Sequence, residues 1–160
     1  MGGVALDLES SDEVIVAVEQ MVQAAKAITA EVAGILVQRM APEGTETIVG
    51  ITRVPGVGPM VMFGLGGIYV EVLRDVVLRL APLHDSDAEA MIGEVKLSKL
   101  LEGVRGKPRS DLAALQDVLL RVSQLALRHP RIAEMDINPL IALHRDAVAV
   151  DARIQLAEPD

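Results

Sequence analysis

The sequence predicts an α+β fold in which a mainly antiparallel sheet is covered chiefly on one side by packed helices. Three observations carry that expectation. Short β-branched runs succeed one another with few residues between them, the spacing of antiparallel neighbours. Three segments open with helix-start signals, and two of them carry apolar residues at helical intervals. The C-terminal region alternates apolar and polar residues through two runs joined by a polar turn.

Ser10 followed by Glu13 has the spacing of a capping box, and Val14, Ile15, Val18, Met21, Val22 and Ala25 recur at helical intervals. The first helix is therefore expected over residues 11–28. Residues 34–38 read as a short strand, and residues 46–52 alternate around Ile48 and Val49 until Pro55-Gly56 breaks the run. A third strand, 59–63, is closed by Gly64-Leu65-Gly66-Gly67, and residues 76–80 form a fourth. Ser86 and Glu89 repeat the capping-box spacing at the start of a short helix through Val95. Gly103 and Gly106-Lys107-Pro108 mark a loop, after which Ser110 is expected to cap a long helix. Its stripe is Leu112, Leu115, Leu119, Val122 and Leu125, and it ends near His129-Pro130. Residues 132–143 and 147–156 are the final strands.

Composition narrows the function. At 160 residues and 51% hydrophobic the chain can bury one core, and residues 1–160 are expected to form a single domain. Phe63 and Tyr69 are its only aromatic residues, which leaves no platform for stacking bases. A net charge of -8 repels a phosphate backbone, so nucleic acid is not an expected partner. The same acidity is compatible with holding ATP through a divalent cation. There is no cysteine, which excludes disulfides, thiolate nucleophiles and cysteine-ligated zinc. The N-terminus does not read as a signal peptide, and no stretch reaches the roughly 20 apolar residues of a membrane span. A cytoplasmic protein with no membrane partner is expected.

The alternation of the last two strands fixes which side chains meet. In Glu134-Met135-Asp136-Ile137-Asn138 the polar residues share one face and the apolar ones the other. With the turn centred on His144-Arg145, Met135 pairs with Ile154, Ile137 with Ala152 and Ile141 with Val148. That register makes one continuous apolar face, completed on the return strand by Val150. It also sets Asn138 opposite Asp151 and Asp136 opposite Arg153, with Cβ atoms about 4.5–5.5 Å apart. An amide oxygen and a carboxylate at that separation suit Mg²⁺, which takes a few protein oxygens and fills its octahedron with water and phosphates. The alternative is a surface ion pair of Asp136 with Arg153 beside a simple bend at Asn138-Pro139.

The run Phe63-Gly64-Leu65-Gly66-Gly67-Ile68 lets backbone amides approach an anion, although a tight turn uses the same residues. It is neither a Walker loop nor a dinucleotide fingerprint. Glu46 and Glu71 flank strand and glycine turn, where a carboxylate can contact a ribose, a metal or a basic loop, although residue type and position alone favour solvated surface acids for both. His84, His129 and His144 have no spacing that converges on one site and are read as surface residues.

Taken in order, the segments 34–40, 44–50, 58–71 and 79–83, then Glu134-Met135-Asp136-Ile137-Asn138-Pro139-Leu140 and Val150-Asp151-Ala152-Arg153, resemble the ATP-grasp region of NDP-forming acyl-CoA synthetases. That family includes the ADP-forming acetyl-CoA synthetases and the succinyl-CoA synthetase beta subunits, and the resemblance covers essentially the whole chain. It implies the larger subdomain of an ATP-grasp fold, one part of a longer acid-thiol ligase that makes acyl-CoA, ADP and phosphate from acid, CoA and ATP. The implied route runs through acyl-phosphate and phosphohistidine intermediates. Asn138 and Asp151 match the family's magnesium pair and Asp136 the acidic position of the same motif. Gln38, Arg39 and Met40 match the hinge segment beside the adenine, while Glu46, Gly64, Gly66, Gly67 and Glu71 match positions lining the nucleotide cleft. ATP or ADP and Mg²⁺ are the implied cofactors. The implied partners are CoA-binding and ligase domains or a subunit carrying them, together with the smaller ATP-grasp lobe.

The departures count too. Family members carry a segment with histidine, lysine and aspartate just before the Gly2-Gly3-Val4 position, and Val54 stands where an aspartate is common. Phosphoryl transfer is catalysed by positioning phosphates and neutralising their charge, so the isolated chain is expected to be inactive, with no catalytic residue of its own. The reading from another class is a regulatory ligand-binding module of a protein lysine acetyltransferase.

Overall fold

The computed structural model describes residues 3–28, 32–67, 75–104, 106 and 108–158. They divide into two units, Met1–Met40 and Ala41–Asp160. In the first, α1 (Ser11–Lys26) begins where expected, with the Ser10 hydroxyl accepting the Glu13 N–H at 3.2 Å. The Glu13 carboxylate reaches one residue further back than in a capping box and accepts the Glu9 N–H at 2.9 Å. Asp12 and Glu13 in the first turn and Lys26 in the last complement the helix dipole. The strand expected over 34–38 is absent, and the segment is irregular with Leu36 and Val37 exposed. Among its described residues this unit holds no strand, and an isolated β-branched run has no ladder to join.

The second unit carries β1 (Thr45–Val54), β2 (Gly58–Leu65), β3 (Val76–Leu80), α2 (Asp85–Glu94), a 3₁₀ turn (Ser98–Leu100), α3 (Leu112–Arg128), β4 (Ile132–Ala142), β5 (Ala147–Ala149) and β6 (Ala152–Leu156). The sheet runs β3-β2-β1-β4-β5, with β6 also on β4. Every pairing is antiparallel. One face presents Val49, Ile51, Val61, Phe63, Leu65, Met135 and Leu140 to Ala88, Met91 and Ile92 of α2 and to Leu115, Leu119, Val122 and Ala126 of α3. The α+β architecture with an antiparallel sheet packed by helices is thus the one expected. Leu112 and Leu125 of the predicted stripe are only half-buried, and the small Ala126 and Ser123 take the closest positions.

Two caps differ from expectation. The short helix starts at Asp85, not at Ser86, because Asp87 three residues beyond His84 accepts its N–H at 2.8 Å. The long helix is capped by Asp111, whose carboxylate takes the Ala114 N–H at 3.1 Å, while Ser110 is buried and bonded through its own N–H to Leu101.

Buried polar groups tie helices to sheet. Asp75 is 4% exposed and accepts the Lys96 and Leu97 N–H groups at 3.0 and 3.2 Å. Ser123 accepts the Leu83 N–H at 2.8 Å. Arg53 of β1 closes the C-terminus of α3, donating to the carbonyls of Ile132 at 2.5 Å, Ala126 at 2.6 Å and His129 at 3.2 Å. Hydrogen bonds from a charged donor contribute more than neutral ones, so Arg53→Met is expected to lower stability in urea unfolding by about 2 kcal/mol. Arg53→Lys should recover less than half of that, because an ammonium lacks the planar fork.

The terminal hairpin adopts the expected register. Met135 pairs with Ile154, Asp136 with Arg153, Ile137 with Ala152 and Ile141 with Val148. The expected continuous apolar face, however, is interrupted. Thr47 pairs with Leu140 but Val49 with Ile137, so Ile48 alone faces both Asn138 and Pro139, a β-bulge. Across it the alternation flips, and Leu140 and Ala142 join Met135 and Ile137 on the helix side while Ile141 moves to the other face with Val148. The return strand breaks at Val150-Asp151 and β6 is exposed throughout, with Ile154 53% accessible.

Candidate functional site

The opposite face of the sheet bears none of the second unit's described helices and gathers most of the polar candidates. Residues of β1 alternate, so with Thr47 and Val49 turned to the helices, Glu46 and Ile48 project the other way. Glu46 meets the glycine turn that follows β2, because the β1–β2 register sets Thr47 against Leu65 and Gly66 therefore beside Glu46. The Gly66 N–H donates to the Glu46 carbonyl at 2.7 Å. A Cβ on Gly66 would lie 2.9 Å from the Glu46 Cβ and 3.1 Å from its carbonyl carbon. One on Gly67, at φ +63, would lie 2.9 Å from the Glu46 Oε2. Gly64 packs as closely on β3, where a Cβ would meet the Asp75 carbonyl at 2.8 Å. The turn is seated on Glu46 by the absence of side chains. Glu71 lies outside the described residues.

Asn138 and Asp151 are both exposed. The Asn138 N–H donates to the Asp151 carbonyl at 3.1 Å, and the Val150 N–H to the Pro139 carbonyl at 3.0 Å, so the hairpin register holds through the break. The Asp151 Oδ1 accepts the Ala152 N–H at 2.9 Å, which orients its carboxylate. Asp136 is half-buried opposite Arg153 and also opposite Gly50. The ion pair read as the alternative is not formed: among the described residues the ion pairs are Arg79–Glu94 and Arg121–Asp117. Also among them, no cluster of three or more histidine, cysteine, aspartate or glutamate side chains is arranged to hold a metal.

Gln38, Arg39 and Met40 belong to the first unit, where they are exposed and, with Asp7, Val14 and Met21, line a cavity of about 330 Å³. His84, His129 and His144 are exposed on separate elements, as expected. Among the described residues no helix is long and apolar enough to cross a membrane.

Sequence reasoning passed over two residues. Thr47 is fully buried and its Oγ1 donates to the Leu140 carbonyl at 2.7 Å. The available signal was a polar residue in the apolar phase of β1. Asp111, besides capping α3, accepts the Asp146 N–H at 3.0 Å and so pins the β4–β5 turn to the helix. Those bonds, from Asp146 first and Ala114 second, hold its carboxyl below the usual carboxylate range. A lowered folded-state pKa gives stability that is complete above the unfolded pKa and is lost as pH falls through the folded one. Wild type and Asp111→Asn should therefore differ in unfolding free energy at neutral pH and converge in acid. A difference that grows in acid overturns this assignment.

Residues 1–156 match the model of a family described as the ATP-grasp domain. The beta subunit of acetate–CoA ligase (ADP-forming) I of Pyrococcus furiosus is 44% identical over 97% of this chain and 68% of that subunit. The acetate–CoA ligase (ADP-forming) I of Archaeoglobus fulgidus is 48% identical over 81% of this chain and 19% of the ligase. The dinucleotide forming acetyl-coenzyme A synthetase 1 of Ca. Korarchaeum cryptofilum, in complex with coenzyme A, Ca-AMPCP and HgCl+, aligns with a TM-score of 0.92 at 47% identity, covering 98% of this chain and 69% of that one. Its complex with coenzyme A and Mg-AMPPCP aligns with a TM-score of 0.87 at 46% identity, over 98% and 68%. The chain spans about two thirds of the Pyrococcus furiosus subunit and about a fifth of the Archaeoglobus fulgidus ligase.

Proposed function

The chain belongs to the ATP-grasp domain family as it occurs in ADP-forming acyl-CoA ligases, and from that premise we propose that the sheet face opposite α2 and α3 holds the phosphates of ATP or ADP with Mg²⁺. One observation carries the reading. Asn138 and Asp151, an amide and a carboxylate, are exposed cross-strand neighbours locked backbone to backbone at 3.1 Å. Hard oxygen donors few in number fit an ion that keeps several waters and takes the rest of its shell from phosphates. Asn138 and Asp151 would hold Mg²⁺, and Asp136 would act from the neighbouring position. When bound, the ion supplies neutralisation of phosphate charge.

Around it, the chain's own groups orient the nucleotide. Glu46, Gly64 at the end of β2 and the turn of Gly66 and Gly67 line the cleft, with the Glu46 carboxylate beside backbone that closely packed glycines leave open; Glu71 joins the proposal on the family resemblance alone. Gln38, Arg39 and Met40, which line a cavity within the first unit, are proposed on the family resemblance to contact the adenine. Residues 1–160 act as one ATP-grasp subdomain of a cytoplasmic enzyme that joins an acid to CoA with cleavage of ATP to ADP and phosphate. CoA-binding and ligase domains, or a subunit bearing them, and the smaller ATP-grasp lobe complete it; nucleic acid and membrane have no part. The test is calorimetric titration of the full-length protein with ADP, with and without Mg²⁺. Binding that requires Mg²⁺ is expected, and the same affinity in excess chelator overturns the reading. The chain alone should release no ADP from ATP, acid and CoA, since half a clamp positions no phosphoryl group.

A further inference from the structure

We infer that Thr47 is a positioning residue: its buried hydroxyl fixes the β-bulge that aims Asn138, and so sets the metal affinity of the Asn138–Asp151 pair, a reading on which this inference rests. The bulge is the weak point of the sheet. Pro139 has no N–H to give β1, and two residues, Asn138 and Pro139, share the space opposite Ile48. On the outer side both are held, by Asn138 N–H to Asp151 and Val150 N–H to Pro139. On the inner side the Thr47 hydroxyl clamps the next residue along, donating to the Leu140 carbonyl at 2.7 Å.

Packing alone does not ask for threonine there. Thr47 is 0% exposed on the face that carries Val49, Phe63, Leu65 and Leu140, where valine has the same shape without a hydroxyl to desolvate. Its main chain also pairs with Leu65, the residue before Gly66, and follows Glu46. One residue thus references the glycine turn to the metal pair across three strands. Bulges beside binding sites commonly re-aim a side chain in this way.

Two variants separate positioning from mere stability. Thr47→Ser keeps the hydroxyl and loses the methyl; Thr47→Val keeps the shape and loses the hydroxyl. In the full-length protein, Mn²⁺ binding in the presence of ADP is read by electron paramagnetic resonance well below the melting transition, beside thermal unfolding. Thr47→Val is expected to weaken Mn²⁺ about five- to tenfold, the range that one hydrogen bond sets. Thr47→Ser should melt earlier yet bind Mn²⁺ within about twofold of wild type. If Val binds like wild type, or both variants lose affinity in step with their melting temperatures, the inference falls. Asp151→Ala is the control: unchanged Mn²⁺ affinity there sinks the proposed metal site itself, whereas its loss alongside an unaffected Thr47→Val sinks only the role of Thr47.

Discussion

Asp151→Ala in the full-length protein is expected to weaken Mg²⁺-supported ADP binding by roughly 100-fold, at the upper end of what loss of even an outer-sphere partner costs a metal site. Its carboxylate is the only anionic donor of the Asn138–Asp151 pair, and the attraction to a divalent ion rests chiefly on charge. Asn138→Ala removes a neutral oxygen and should cost about tenfold. Asp151→Asn keeps the shape and drops the charge, so it should lie nearer to Ala than to wild type. Stability separates the cause. Asp151 is exposed and, among the described residues, its side chain bonds only to the adjacent Ala152 N–H, so unfolding should shift by no more than about 0.5 kcal/mol. Titration calorimetry with ADP and Mg²⁺ reads the ranking. ADP affinity unchanged across all three variants would remove the metal from this pair of strands.

The terminal hairpin was legible because two constraints agree: alternation chooses the buried face, and a turn at His144-Arg145 fixes the phase, so a slip by one residue exposes what the core needs. The pairs from Met135–Ile154 to Ile141–Val148 follow from that alone. The flip between Ile137 and Leu140 did not, because alternation assumes an uninterrupted pleat. Pro139 in the middle of a strand was the available sign, since proline inside a sheet belongs to edges or bulges. The strand expected over 34–38 failed for a different reason: β-propensity records fit to a pleated surface, and its unit has no described strand to offer one. Caps were misplaced by a single residue or two because serine was weighed above a histidine followed by Asp87 and above Asp111, whose carboxylate does the capping. The meeting of Glu46 with Gly66 and Gly67 is a tertiary fact. It needs the register of β1 on β2, which no local pattern in either segment specifies.

That meeting supports the second large expectation, a loss of both stability and nucleotide affinity in Gly66→Ala. The added Cβ would stand 2.9 Å from the Glu46 Cβ, 3.1 Å from its carbonyl carbon and 3.2 Å from the Thr47 nitrogen. Two of those obstacles are main chain of a central strand, held by neighbours on both sides, so the turn must lift off β1 instead. The 2.7 Å bond from Gly66 N–H to the Glu46 carbonyl goes with it. Forcing a methyl into such a contact costs about 1–3 kcal/mol, or a melting temperature lower by about 5–10 °C at the upper end. Gly67→Ala should behave differently. Its obstacle is the Glu46 Oε2, the far end of a flexible side chain, and its main cost is about 1 kcal/mol for a side chain at φ +63. It should therefore melt closer to wild type than Gly66→Ala does, while still displacing the Glu46 carboxylate and weakening ADP binding. Thermal unfolding and ADP titration of the two variants decide the matter. Equal melting temperatures would mean that the turn yields as readily to backbone as to side-chain crowding, and full ADP affinity in Gly67→Ala would take Glu46 out of the cleft.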